Sequence, residues 1–312
     1  MSAVRQALLL SSGRSGSTLL DRLLGRHSQV ASLGEVMQWP KNQALDTMCT
    51  CGEPMSRCVF WQSVSERLKA SMAVDVNAHP YALDMGLIGA TRVRDASYYT
   101  PRRVMHNKMA QAVLWAGQRL GRYWPLPLVH RQGRHSLAVY DAVRTAADVA
   151  CVVDSSKQYL RGIGVYQQSP HDTRLIVLVR DGRAVLHSRM QSGVSIEEAV
   201  HRWVRYYQRM LPCLRASVPD TAVFRVRYEQ LASDPNAVLA ALFDFLDLPA
   251  AGDVLGLADA DVHMVEGNAM RFEPLTSVRL DRRWEQALSA SARRYFERHA
   301  GAMNRELGYD SD

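Results

Sequence analysis

One junction near the N-terminus constrains this chain more than any other feature. Residues 4–11, Val-Arg-Gln-Ala-Leu-Leu-Leu-Ser, form an apolar run that reads as a buried strand. The run stops at Ser12-Gly13-Arg14-Ser15-Gly16-Ser17-Thr18, after which Leu19, Leu20, Leu23 and Leu24 recur on one helical face. So short a turn of small residues lets backbone amides close round an anion. The helix N-terminus adds unpaired N–H groups and partial positive charge, and Ser17 and Thr18 add hydroxyl donors. The junction therefore predicts a phosphate site. A solvated helix cap is the plain alternative, since serine and threonine are ordinary cap residues. A nucleoside-triphosphate loop of the form GxxxxGK[ST] fits less well. The turn has no such lysine, and the interval between Gly13 and Gly16 is too short. No acidic strand end stands out as a magnesium holder, which disfavours ATP–magnesium chemistry.

The strand-then-helix pattern repeats. Strands are expected at 30–33, 150–154, 174–179 and 222–227, and helices at 60–72, 101–120, 132–148, 195–217, 235–246 and 286–306. Pro125 and Pro127 are expected to break the helical pattern between 120 and 132. Alternation of this kind predicts an α/β fold of three layers with a mainly parallel sheet. The whole chain, 1–312, reads as one domain, with 40–149 a mainly helical insert. Ligands of such sheets sit at the carboxyl ends of the strands, and the polar clusters fall there. Residues 12–18 follow the first strand, Glu35 the second, Lys157 the third, Arg180 to Ser188 the fourth and Tyr228 the fifth.

The fourth of these clusters is a second candidate anion site. Arg180-Asp181-Gly182-Arg183-Ala184-Val185-Leu186-His187-Ser188-Arg189-Met190 follows directly on the strand ending at Val179. If 182–190 is helical, Arg180 stands at its mouth and Ser188 on its second turn. Both then reach one phosphate, the arginine as a bidentate fork and the serine as a neutral donor. An Arg180–Asp181 surface pair, worth little, is the alternative. Together the two clusters suit a ligand with phosphate groups at two separated points.

A net charge of +7 agrees with an anionic ligand. The cations are scattered, with no basic run or interleaved aromatic platform, so nucleic acid is not the expected partner. Only four of the 38 cations are lysines, which makes Lys157 at a strand end more informative than a lysine usually is. A surface lysine is its plain reading. No apolar stretch is long enough for a membrane span. The first ten residues read as a strand rather than a secretory signal, so a cytoplasmic location is expected. Cys151 and Cys213 read as core residues. Cys49, Cys51 and Cys58 crowd together, but a zinc site wants a fourth ligand and this is not the spacing of a standard one. A reduced structural loop without metal is expected.

These motifs resemble those of a known family. Gly13-Arg14-Ser15-Gly16-Ser17-Thr18 resembles the 5'-phosphosulfate loop of sulfotransferases that use 3'-phosphoadenosine-5'-phosphosulfate (PAPS). The segment from Val179 to Ser188 resembles their 3'-phosphate motif, in the version found in tyrosylprotein sulfotransferases. Tyr228-Glu229-Gln230-Leu231 resembles the family's segment near the nucleotide. Gly267-Asn268-Ala269-Met270-Arg271-Phe272 is similar to a C-terminal nucleotide-contacting stretch of bacterial members, as is the cysteine-rich segment 49–61. The resemblance covers 5–35 and about 150–310 and implies a P-loop-like fold. It also implies sulfuryl transfer from PAPS to a hydroxyl, with no metal.

The resemblance implies roles as well. Glu35 is the general base, and Arg14 and Lys157 stabilise charge on the transferring group. Arg14, Ser15, Gly16, Ser17 and Thr18 hold the 5'-phosphosulfate, and Arg180 with Ser188 the 3'-phosphate. Tyr228, Asn268 and Arg271 contact the nucleotide. A glutamate that only caps the next segment, or pairs with an arginine, is the alternative for Glu35. The chain departs from cytosolic small-molecule sulfotransferases at Arg14, where they carry lysine, and in having no histidine at the base position. It departs from the tyrosylprotein type at Ser192, where an arginine is expected. The region 40–149, with Tyr98, Tyr99, Arg102 and Arg103, is expected to shape the acceptor site. Glycan, lipid, natural-product and peptide-tyrosine hydroxyls remain open as acceptors. A nucleotide kinase or NTPase with a degenerate loop, and a non-catalytic nucleotide binder, are the rival readings.

Overall fold

A computed structural model describes residues 4–86, 105, 109, 113, 116, 127–256 and 262–310. Its centre is a five-stranded parallel sheet: β1 (Gln6–Leu10), β2 (Val30–Ser32), β3 (Cys151–Asp154), β4 (Thr173–Val179) and β5 (Val223–Arg227). The spatial order is β2-β3-β1-β4-β5, with parallel pairing throughout. Every strand lies within a residue or two of its expected range. Parallel strands covered on both faces need apolar residues at successive positions, which is why the runs are legible.

The pleat sends alternate residues to two cores. Ala7, Leu9, Cys151, Val153, Ile176 and Leu178 face α1 (Ser17–Leu24) and, later in the chain, α8 (Tyr228–Ser233) and α9 (Pro235–Phe245). Leu8, Leu10, Val152, Leu175, Val177 and Val179 face the opposite layer. That layer holds α3 (Val59–Met72), α4 (Pro127–Ala147), α5 (Tyr159–Gln168), α6 (Gly182–Met190), α7 (Ile196–Ser217) and α11 (Ala290–Glu306). Two further helices, α2 (Trp39–Ala44) and α10 (Trp284–Ala287), are short. Burying each leucine of the α1 stripe stabilises the layer by about 1.5–3 kcal/mol.

This topology makes the crevice. The chain leaves β1 through α1 on one face, whereas α5 after β3 and α6 after β4 pack on the other. The carboxyl end of β1 thus sits where neighbouring connections diverge, the usual ligand position of an open parallel sheet.

Two helix boundaries differ from expectation. The proline at 127 opens α4 rather than breaking a pattern that resumes at 132, because at the first helical position its missing N–H has no partner to lose. The C-terminal helix is interrupted: α10 ends at Ala287, and Ser289 caps a new helix by accepting from Ala292 N at 3.2 Å. Cys151 and Cys213 are buried, as expected. Tyr98, Tyr99, Arg102, Arg103 and most of the expected helix 101–120 lie outside the described residues. Among the described residues no helix is long and apolar enough to cross a membrane.

Candidate active site

The loop after β1 is built by backbone conformations that few residues tolerate. Gly16 has φ +90°, and a Cβ there would stand 2.5 Å from Tyr228 Cδ2. Glycine alone satisfies both demands. Arg14, at φ 73°, is a non-glycine residue in the same region, a strain that clusters at functional positions. No side chain caps α1. The amides of its first turn therefore keep the unpaired donors that a helix start presents.

The ends of β2 and β3 bring a carboxylate and an ammonium together. Gly34 turns the chain with φ +67°, and Glu35 N donates to Glu266 O at 3.1 Å. Ser155 N donates to Gly34 O at 2.9 Å, tying the two strand ends. Lys157, at φ 63°, donates from Nζ to Glu35 Oε1. The two side chains are 17% and 23% exposed, so the pair is shielded yet reachable. From α7, Tyr206 Oη donates to the Lys157 carbonyl at 3.0 Å and fixes this loop from the other layer.

Beneath them lies Asp21, fully buried on α1. Its carboxylate accepts from Ser32 Oγ at 2.7 Å, Gly34 N at 3.0 Å and Ser155 Oγ at 2.6 Å. Burial raises its pKa to about 7 against the opposing pull of these bonds. One side chain thus joins the helix of the phosphate loop to the strand ends that carry Glu35 and Lys157.

The end of β4 supplies the second cluster. Asp181 accepts from Arg183 N at 2.8 Å and caps α6, while its carboxylate also holds the Arg183 guanidinium. The alternative Arg180–Asp181 pair is therefore not made; Asp181 serves the helix. Arg180 instead lies over the Tyr228 ring, 4.3 Å from its centroid. It donates to Arg14 O at 3.3 Å and to Asp281 Oδ2 at 3.2 Å. Hydrogen bonds from Arg283, with the charge of Arg180, hold the Asp281 carboxyl well below the usual range.

A cleft of about 880 Å³ joins these groups. Arg14, Gly16, Ser17, Thr18, Glu35, Lys157, Arg180, Ser188, Tyr228 and Asn268 all line it. Seven of the lining side chains are arginine or lysine and two are carboxylates, so its field favours an anion.

The profile of the sulfotransferase family matches residues 7–252. The chain belongs to that family. Among solved structures, the sulfotransferase domain of the Synechococcus PCC 7002 olefin synthase is similar in fold. It has a TM-score of 0.51 and 17% identity, over 99% of this chain and 97% of that one. The sulfotransferase domain from the curacin biosynthetic pathway gives a TM-score of 0.49 and 18% identity over the full length of both chains. A search of curated proteins found no match. The sheet and its flanking layers are accordingly the P-loop-like α/β fold of sulfotransferases.

Two expected site residues of this sulfotransferase stand apart from the cleft lining. Ser15 is buried in the floor of the loop. Arg271 donates to Gly267 O at 2.8 Å, stacks on Phe272 and lines a neighbouring cavity with Lys41, Asn42 and Glu266. It shapes the segment bearing Asn268 rather than facing the main cleft. Asn268 N itself donates to Thr18 Oγ1 at 3.2 Å.

The cleft also contains residues that sequence reasoning missed: Arg189, Ser192, Arg202, Arg279, Asp281 and Arg283. Ser192, notable in the sequence only as a departure from the tyrosylprotein pattern, accepts from Arg14 at 2.7 Å. Arg189 donates to Ser12 Oγ at 3.2 Å and Gly13 O at 3.3 Å. Burial, then the charges of Arg202 and Arg14, lower its pKa, as expected for a cation short of negative partners.

Proposed function

We propose that this protein transfers a sulfuryl group from PAPS to an acceptor hydroxyl, releasing adenosine 3',5'-bisphosphate. The observation carrying this reading is that the loop at 13–18 and the Arg180–Ser188 cluster line one cleft, with Glu35 and Lys157 beside them. The residues fit a doubly anionic donor: Arg180 Nε and Arg189 Nε are buried without a hydrogen-bond partner among the described residues. Such groups are costly to leave unmatched, and phosphate oxygens would satisfy them.

PAPS supplies the sulfuryl group, so transfer forms one O–S bond to the acceptor and breaks the S–O bond to the 5'-phosphate. Glu35 accepts the proton that the acceptor hydroxyl loses. Lys157 and Arg14 offset the charge that builds on the migrating group and the bridging oxygen. Arg14, Ser15, Gly16, Ser17 and Thr18 hold the 5' end through amides, hydroxyls and one guanidinium. Arg180 and Ser188 hold the 3'-phosphate. Tyr228 keeps Arg180 in place through its ring, and Asn268 closes the cleft from the C-terminal segment. Arg271 acts on the donor through that segment, by its bond to Gly267 O. No metal is needed for these steps. The insert 40–149 is proposed to shape the acceptor side, and glycan, lipid, natural-product and peptide hydroxyls all meet the chemical requirement.

Thermal unfolding tests the donor assignment. Adenosine 3',5'-bisphosphate without magnesium should stabilise the protein, by about 2.7 kcal/mol at a hundredfold excess over its Kd. Stabilisation by ATP with magnesium alone would replace this reading with a nucleotide kinase. Mass spectrometry of host metabolites and glycoconjugates, with and without the gene, should then show the acceptor as a species that gains sulfate. Donor binding without any sulfated product would favour a non-catalytic nucleotide binder.

A further inference from the structure

The segment 45–58 and residue His263 meet beside α3, away from the lining of the donor cleft. Spacing within the segment offers three ligands, Cys49, Cys51 and Cys58, and on that spacing alone a loop without metal is expected. The fold supplies a fourth donor, 205 residues after Cys58. His263 Nδ1 stands 3.3 Å from Cys58 Sγ and 3.6 Å from Cys49 Sγ, and Cys51 Sγ is 3.7 Å from Cys58 Sγ. All four donor atoms lie within 4.8 Å of one another. A tetrahedral zinc with ordinary bond lengths has S···S edges of about 3.8 Å and S···N edges of about 3.6 Å. Three of the six edges are close to those lengths, and the other three are no longer than 4.8 Å.

The surrounding structure holds those corners. Gly52, at φ +89°, makes the turn that returns its amide to Cys49 O at 3.0 Å, and Cys49 N donates to Glu53 O at 2.9 Å. The turn leaves the sulfurs of Cys49 and Cys51 on the same side as Cys58. Cys58 is the residue before α3, where a helix start favours a thiolate. The His263 ring stacks on Phe60, with centroids 4.5 Å apart and planes at 9°, and the His263 carbonyl accepts from Trp61 Nε1 at 3.0 Å. Thr50 Oγ1 bonds Val262 O and accepts from Met264 N at 2.9 Å. A disulfide accounts for the cluster less well. It would pair two sulfurs at about 2.05 Å and leave the third cysteine and the histidine ring facing it without a purpose.

We propose that Cys49, Cys51, Cys58 and His263 bind one zinc ion as a structural site. Four protein ligands leave no open position, so the ion takes no part in transfer. Its place in the fold gives it a mechanical role. His263 begins the segment whose Glu266 carbonyl receives the Glu35 amide and whose Asn268 amide meets Thr18. Zinc thereby pins to α3 the strap whose residues 267–270 line the cleft. This assignment is independent of the donor and acceptor.

Metal analysis of the full-length protein, purified without chelator and again after reconstitution with zinc, tests the proposal. The expected result is one zinc per chain, with an X-ray absorption spectrum showing three sulfur ligands and one nitrogen. Cys51→Ser, chosen because Cys51 is exposed, and His263→Gln should each lose most of the zinc, whereas Cys213→Ser should keep it. A wild-type protein that takes up no zinc by either route overturns the proposal. So does a first shell without sulfur, a Cys51–Cys58 disulfide in the intact mass, or full zinc retention in both ligand variants. Should a variant fail to fold, the wild-type absorption spectrum by itself still distinguishes a three-sulfur, one-nitrogen site from any other.

Discussion

Lys157 and Glu35 form an ion pair across the carboxyl ends of two adjacent parallel strands, β3 and β2. Two groups with opposite duties in the proposed chemistry therefore share one contact. The lysine charge lies where the proton is to be taken and where negative charge is to be offset.

Replacing Glu35 with Gln should lower kcat by about 10²- to 10⁴-fold, the usual range for a general base. Donor affinity, read by calorimetry with adenosine 3',5'-bisphosphate, should stay at the wild-type value, because Glu35 is assigned to the acceptor. A variant that keeps its kcat would remove Glu35 from that role.

Arg180→Ala should weaken binding of adenosine 3',5'-bisphosphate by about 10- to 100-fold, the equivalent of charge-assisted bonds to phosphate. Ser188→Ala should have a smaller effect, about 5-fold, because a neutral donor contributes less. Removing only the 3'-phosphate from the probe should erase both differences. Unchanged affinity in both variants would move the 3' site elsewhere in the cleft.

Asp21 should make stability depend on pH. Its folded pKa, about 7, lies above the ordinary value of 3.8. The folded chain therefore keeps a proton that the unfolded chain gives up, and stability falls as pH rises from about 4 through about 7. The effect has an upper bound of about 4 kcal/mol. Asp21→Asn, uncharged throughout, should lose this slope in urea titrations across that window. Parallel curves for variant and wild type would refute the assignment.

Gly16→Ala should destabilise the protein by about 1–3 kcal/mol through its positive φ. It should also depress donor affinity, because the new Cβ would press on Tyr228, which lies under Arg180. Equilibrium unfolding and nucleotide binding measured on the same preparation would separate the two effects. Wild-type values in both would show that the loop can relax around the methyl group.

Sequence legibility follows the range of the interactions. The strand ends can be read because an apolar run that ends in Gly, Ser or Arg announces its boundary locally, as at Leu10 and Val179. Asp21 gives no such signal: between Leu20 and Arg22 it looks like any polar residue of an amphipathic helix, and its three partners come from two other strand ends. Ser192 shows the limit of motif matching, since comparison marks it as a lost arginine while the fold uses it to receive Arg14. His263 is invisible for the same reason: ligand spacing is a local rule, and this contact is made by tertiary folding. Arg271 lies in a recognisable stretch, but its side chain turns back onto its own segment.

The strap holds Glu35 through main-chain atoms: Val265 N reaches Leu33 O at 3.0 Å, and Glu35 N reaches Glu266 O at 3.1 Å. Such a grip does not read side-chain identity. The side chains at 265 and 266 have other duties, Val265 in the core and Glu266 as the partner of Lys41 and Asn42. An insertion or deletion of one residue between 263 and 268 would shift the register and turn the glutamate away, even with every cleft side chain intact.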